Sequence, residues 1–152
     1  MDAATIVAPD GWLDTLLRLA VAAALGGVIG WEREGRNRGA GLRTNMMVAL
    51  GSCVFIITGL EFAEAFEQAE IAKVLAGIVG GVGFLGAGAI MQFKGEVRGL
   101  TTAAGIWTCA AIGAASGAAL YPLAVLAAGA ALVILLALLP LKQEIQNSTD
   151  DD

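Results

Sequence analysis

WEREGRNRGAGLRT, residues 31–44, is the one dense patch of charge in an otherwise oily chain. It carries Glu32, Arg33, Glu34, Arg36, Arg38 and Arg43, and apolar runs flank it on both sides. A smaller patch, KGEVRGLTT at residues 94–102, repeats the arrangement, with charges, then Gly-Leu, then threonine opening the next apolar run. Charge confined to short segments between long apolar ones is the pattern of a polytopic membrane protein, and the two patches are expected on the same membrane face.

Composition agrees. The 152 residues are 57% hydrophobic and 15% charged, and the mean hydropathy is +0.76. A soluble domain carries about 25% charged residues. A spanning helix needs about 20 mostly apolar residues, and the chain reads as about five such helices. The expected fold is an all-α, polytopic membrane helix bundle with glycine-rich packing. Residues 1–11 form an outward N-terminal segment, 12–141 the transmembrane domain and 142–152 a polar cytoplasmic tail. The acidic N-terminus lacks the basic start of a secretory signal, so the first apolar run is expected to stay as a span. The net charge of −5 argues against a nucleic-acid binder, which needs a basic surface.

Along the chain, Trp12 and Trp31 bracket the first span as interfacial anchors do. Asp14 and Arg18 are spaced to pair on one helix face. Gly26 and Gly30 form a GxxxG pair that permits close helix approach, and Gly113 and Gly117 repeat it in the fourth span. The second span, 44–60, ends in EFAEAFEQAE (61–70), read as a solvated loop or a short acidic interfacial helix. The third span, 71–92, is rich in glycine. Gly77, Gly81 and Gly88 share one face and Gly83 and Gly86 lie nearly opposite, so both sides can touch neighbouring helices. This predicts the central helix of the bundle, or a kinked one. The string from Gly81 to Gly86 matches GxGxxG, but inside one apolar run it lacks the strand-turn-helix setting of a dinucleotide site. A polar loop follows, then spans at 100–117 and 123–141, with Pro122 suited to a first helical turn.

Histidine is absent, which removes the commonest general base and transition-metal ligand. Cys53 and Cys109 lie inside apolar runs, without a CxxC, and read as small residues packed between helices. No nucleophile-base pair is evident, so the chain is not expected to be an enzyme. The segments after spans one and three, with the tail, hold Arg33, Arg36, Arg38, Arg43, Lys94, Arg98 and Lys142, seven of the nine basic residues. Positive charge collects in the cytoplasm, which predicts an outward N-terminus and an inward C-terminus.

GVIGWERE (27–34), AGLRTNMMVALGS (40–52), GIVGGVGFLGAGAIM (77–91) and VRGLTTAAGIWTCAAIG (97–113), in that order and spacing, resemble the MgtC/SapB family of bacterial inner-membrane proteins. The resemblance covers about residues 13 to 141. It implies a place in magnesium homeostasis and growth at low magnesium, through magnesium transport or through action on a membrane partner such as a P-type magnesium pump or ATP synthase. Many members carry a soluble C-terminal domain after the last span, and this sequence stops about ten residues past it. Some members have asparagine where this chain has Thr101, so a role tied to an amide there does not transfer.

The candidate functional cluster on the cytoplasmic face is Glu32, Arg33, Glu34, Arg43, Thr44, Asn45, Arg98, Thr101 and Thr102. Its first reading is an ion-pair network fixing helix ends, Glu32 or Glu34 with Arg43 or Arg98, while the threonines cap helices. The second is a site for a phosphate group or an anionic lipid head. The third is a magnesium site on Glu32 and Glu34, weakened because residues i and i+2 point about 160° apart on a helix. Transport would need ionisable or polar groups within the spans. No acid lies deep in any span, which leaves a pore lined by Thr44, Asn45, Thr101 and Thr102. Mg2+ is the one ion the family implies. The expected partners are membrane lipids, a membrane ATPase and a second copy of the chain, most simply as a dimer.

Overall fold

The computed structural model describes residues 11–36, 39–65, 70–93 and 96–149. Five helices account for nearly all of them: α1 (Gly11–Gly35), α2 (Leu42–Ala65), α3 (Glu70–Ala89), α4 (Leu100–Gly117) and α5 (Tyr121–Thr149). The chain is an all-α membrane helix bundle. Helices α1, α2 and α3 are each long and apolar enough to cross a bilayer. Trp12 and Trp31 are exposed at the two ends of α1, about 28 Å apart at the helical rise, which matches the thickness of the hydrocarbon core. Large apolar side chains such as Phe55, Phe84 and Leu126 point outward. On a soluble protein such a surface would be a liability; here it is where lipid tails lie.

The third helix is not the centre of the bundle. That position belongs to α4, which packs against all four other helices. Its residues Ile112 to Gly117 are buried without a break, and such all-round burial marks a core helix. Helix α3 packs chiefly on α2 and α4. Of the glycines expected to serve packing, Gly86 faces Ala103 of α4, whereas Gly77, Gly81, Gly83 and Gly88 have no neighbour within 4 Å of where a Cβ would stand. The number of glycines did not decide the centre; the position of the small residues opposite them did.

The two GxxxG pairs supply the contacts that hold the core. A Cβ on Gly26 would lie 2.8 Å from the Ala49 Cβ, and one on Gly30 would lie 2.7 Å from the Leu42 Cα. Across α2, a Cβ on Gly113 would fall on the Ala49 carbonyl, and one on Gly117 would lie 2.6 Å from the Cys53 carbonyl oxygen. Asn45, Ala49 and Cys53, one turn apart on α2, are therefore clasped between α1 and α4. Ile29, Cys109 and Ile112 continue the core toward Ala124 and Ala128 of α5.

Three local structures differ from expectation. The polar loop after α3 contains a short hairpin, β1 (Met91–Phe93) antiparallel to β2 (Glu96–Arg98), with Met91 opposite Arg98; Lys94 and Gly95 lie outside the described residues. Gly99 then opens α4 at φ 92°, and a side chain there would collide with the Ala89 carbonyl. The polar tail continues α5 as helix as far as Thr149. The acidic stretch is split: α2 runs to Ala65, α3 begins at Glu70, and residues 66–69 lie outside the described residues. Pro122 falls in the first turn of α5, as expected. The turn before it is a Schellman motif, in which Leu120 N–H donates to the Ala115 carbonyl and Ala119 N–H to that of Ser116. Its left-handed position is filled by Ala119 at φ 57° rather than by glycine.

Candidate functional site

The charged stretch is the turn between α1 and α2, and its side chains divide into a buried set and a surface set. Arg33 is only 6% exposed, and its Nη2 donates to Thr102 Oγ1 at 3.0 Å, tying α1 to α4. Asn45 is buried beneath the same turn. Its Nδ2 donates to the carbonyls of Ala40 at 2.8 Å and Gly41 at 2.9 Å, and its Oδ1 accepts from Cys109 Sγ at 3.2 Å. One amide thus joins the turn, α2 and α4. Polar groups buried this fully in the protein are cut off from water, so each needs a protein partner.

The carboxylates go elsewhere. Glu34 Oε2 accepts the Leu42 N–H at 2.7 Å, satisfying a free donor at the start of α2 and placing negative charge at its positive end. Glu32 pairs with Arg36 at 2.5 Å, one turn along α1. Its other oxygen, Oε2, is buried and has no hydrogen-bond partner. Arg98 pairs with Glu96 inside the hairpin at 2.9 Å. The expected network of Glu32 or Glu34 with Arg43 or Arg98 is therefore replaced by local pairs. A partner two to eight residues away costs less chain entropy to reach than one on another helix.

The threonines do not cap helices as expected either. Gly99 occupies the N-cap of α4 without a side-chain bond, Thr102 serves Arg33, and Thr44 and Thr101 are exposed, as is Arg43. Glu32 and Glu34, expected from the sequence as the weakest of three readings to hold magnesium, are committed to different partners. Among the described residues no group of three or more His, Cys, Asp or Glu could hold a metal ion. The structure brings Arg33, Asn45 and Thr102 into the packed core and leaves Arg43, Thr44, Arg98 and Thr101 on its surface.

Two participants escape the sequence reading. Arg36 lies at i+4 from Glu32, a spacing that signals the pair. Cys109 is 64 residues from Asn45, and nothing in the sequence links them. At the opposite end of the bundle, the expected Asp14–Arg18 pair forms at 2.6 Å. There Arg18 Nη1 also donates to the Gly117 carbonyl at 2.8 Å, closing the C-terminus of α4.

Five apolar helices, cross-braced by small residues and by a few buried, hydrogen-bonded polar ones, define a polytopic membrane protein. The profile of the MgtC family matches residues 19–144, and the chain belongs to that family. It is 43% identical over 129 residues to "Protein MgtC" of Brucella abortus, covering 84% of this chain and 52% of the relative. It is 39% identical over 125 residues to "Putative magnesium transporter YhiD" of Escherichia coli, covering 79% and 58%. An uncharacterised protein of Synechocystis is 41% identical over 136 residues, covering 90% and 57%. The chain thus spans little more than half the length of these relatives. No solved structure matches it.

Proposed function

We propose that this chain is the membrane part of a magnesium-homeostasis protein that acts on other membrane proteins rather than moving the ion itself. The observation that carries this reading is the state of the polar interior. Arg33 is bonded to Thr102 and Asn45 to the turn and Cys109, so these groups are occupied in bracing helices. An ion path needs polar groups turned toward a route, and magnesium gives up its water reluctantly. The family and its named relatives support the link to magnesium. The partners that fit are a P-type magnesium pump or ATP synthase, met within the bilayer, and a second copy of the chain as a dimer. The basic residues around α1–α2 and β1–β2 favour a cytoplasmic position for those turns, at a bacterial inner membrane.

The alternative is a magnesium transporter, and the name of the Escherichia coli relative favours it. Flux measurement separates the two. Proteoliposomes holding the purified chain alone are expected to take up no more magnesium than empty vesicles, while the chain co-purifies with a membrane ATPase. Uptake above empty vesicles that disappears in Glu32→Gln or Arg43→Gln would overturn the regulatory reading.

A further inference from the structure

Helices α2 and α3 meet at one end and part toward the other. Where they meet, a Cβ on Gly59 would stand 3.1 Å from Val74. Farther along, α3 leans onto α4 through Gly86 and Ala103. Between α2 and α3 a groove of about 650 Å³ opens, lined chiefly by Met47, Gly51, Phe55, Gly77, Gly81 and Leu85. Its hollow comes from missing side chains: Gly51, Gly77 and Gly81 have nothing within 4 Å of a would-be Cβ. Both bounding helices are of spanning length, so the groove faces the hydrocarbon.

We propose that this groove seats one acyl chain of an anionic phospholipid, whose phosphate is held by Arg43. Length favours a lipid over a second protein helix. From Thr44 to Phe55 the groove follows α2 for about 17 Å at the helical rise, whereas the full hydrocarbon core is about 30 Å thick. It is one leaflet deep, as an acyl chain is, and a spanning helix would need twice that. Charge identifies the head group. Arg43 adjoins Thr44 at the mouth of the groove, is exposed, and forms no ion pair among the described residues. Arg18, Arg36 and Arg98, by contrast, each have a carboxylate. The nearby Glu34 carboxylate accepts the Leu42 N–H through Oε2 and forms no ion pair with Arg43. A guanidinium at that depth meets lipid phosphates and pairs with them through two parallel hydrogen bonds. An extra negative lipid charge strengthens that attraction.

The test is native mass spectrometry of the full chain released from detergent, with phosphatidylglycerol and phosphatidylcholine of identical acyl chains added in equal amounts. The wild type is expected to retain phosphatidylglycerol several-fold more than phosphatidylcholine. Arg43→Gln is expected to bring that ratio near one, and Gly81→Leu, which fills the groove, to lower retention of both lipids. Circular dichroism checks that each variant is folded, and Gly51→Leu repeats the filling from α2 should Gly81→Leu fail that check. An unchanged lipid ratio in folded Arg43→Gln overturns the proposal. So does undiminished retention in a folded groove-filling variant. Loss of a dimer in such a variant, with lipid retention intact, would make the groove an interface between copies and also overturn it.

Discussion

The chain uses one short pattern, two glycines four residues apart, in three helices, and the structure treats them in two ways. Gly26 and Gly30 on α1, and Gly113 and Gly117 on α4, press closely against α2 and meet at Ala49. Gly77 and Gly81 on α3 press against nothing. In the bilayer no hydrophobic force drives helices together, so close van der Waals contact does much of the work. A glycine contributes to that only when a neighbouring backbone comes near enough to use the space. Ala49 supplies this on α2, because its small side chain lets α1 and α4 approach together. Beside α3 the corresponding space is left as a groove.

The largest expected effect tests the used pairs. Gly113→Ala places a methyl group on the Ala49 carbonyl and must push α4 away from α2. Overpacking of this kind costs about 3 kcal/mol. Equilibrium unfolding with sodium dodecyl sulfate in mixed micelles measures it, and a loss below a few tenths would mean that α4 and α2 do not touch there. Asn45→Ala comes next. It leaves the Ala40 and Gly41 carbonyls without their side-chain donor, at a cost of about 2 kcal/mol. The same titration reads it, and a neutral result would break the view that this amide braces the turn. Thr102→Val removes the acceptor from Arg33. Because Arg33 has a further interaction, the expected loss is smaller, about 1.5 kcal/mol, and Thr102→Ser should recover most of it.

Much of the fold is legible in the sequence because its causes are local. The apolar runs mark the helices, Trp12 and Trp31 mark the ends of α1, and Asp14 and Arg18 pair across one turn. Glu32 and Arg36 have that same spacing, although the density of arginines around Glu32 points equally to partners on other elements. The nearer partner wins because a residue on the same helix needs no tertiary folding to be close. Residues joined only by packing stay hidden. The bond from Cys109 to Asn45 depends on how α2 lies against α4, and the Gly113–Gly117 pair that seats α4 is the same sequence signal as the Gly77–Gly81 pair that seats nothing. The hairpin after α3 looks like a plain loop in the sequence because three residues a side carry too little pattern to show a strand.

Gly81→Ala is the smallest effect and the one that sharpens the contrast most. At a packed glycine, an added methyl group forces helices apart; at an unpacked one, it only stiffens the chain. Alanine is better than glycine in a helix interior by about 0.8 kcal/mol, partly because glycine loses more freedom on folding. With nothing within 4 Å of the new Cβ, Gly81→Ala is expected to be neutral or to stabilise by up to about that amount in the same titration. The sign therefore separates two structures of α3. A gain means that this face is open within the folded chain, and a single methyl group is small enough to leave room for an acyl chain. A loss as large as that of Gly113→Ala would mean that another helix, from this chain or a second copy, lies against Gly81, and α3 would then belong with α1 and α4.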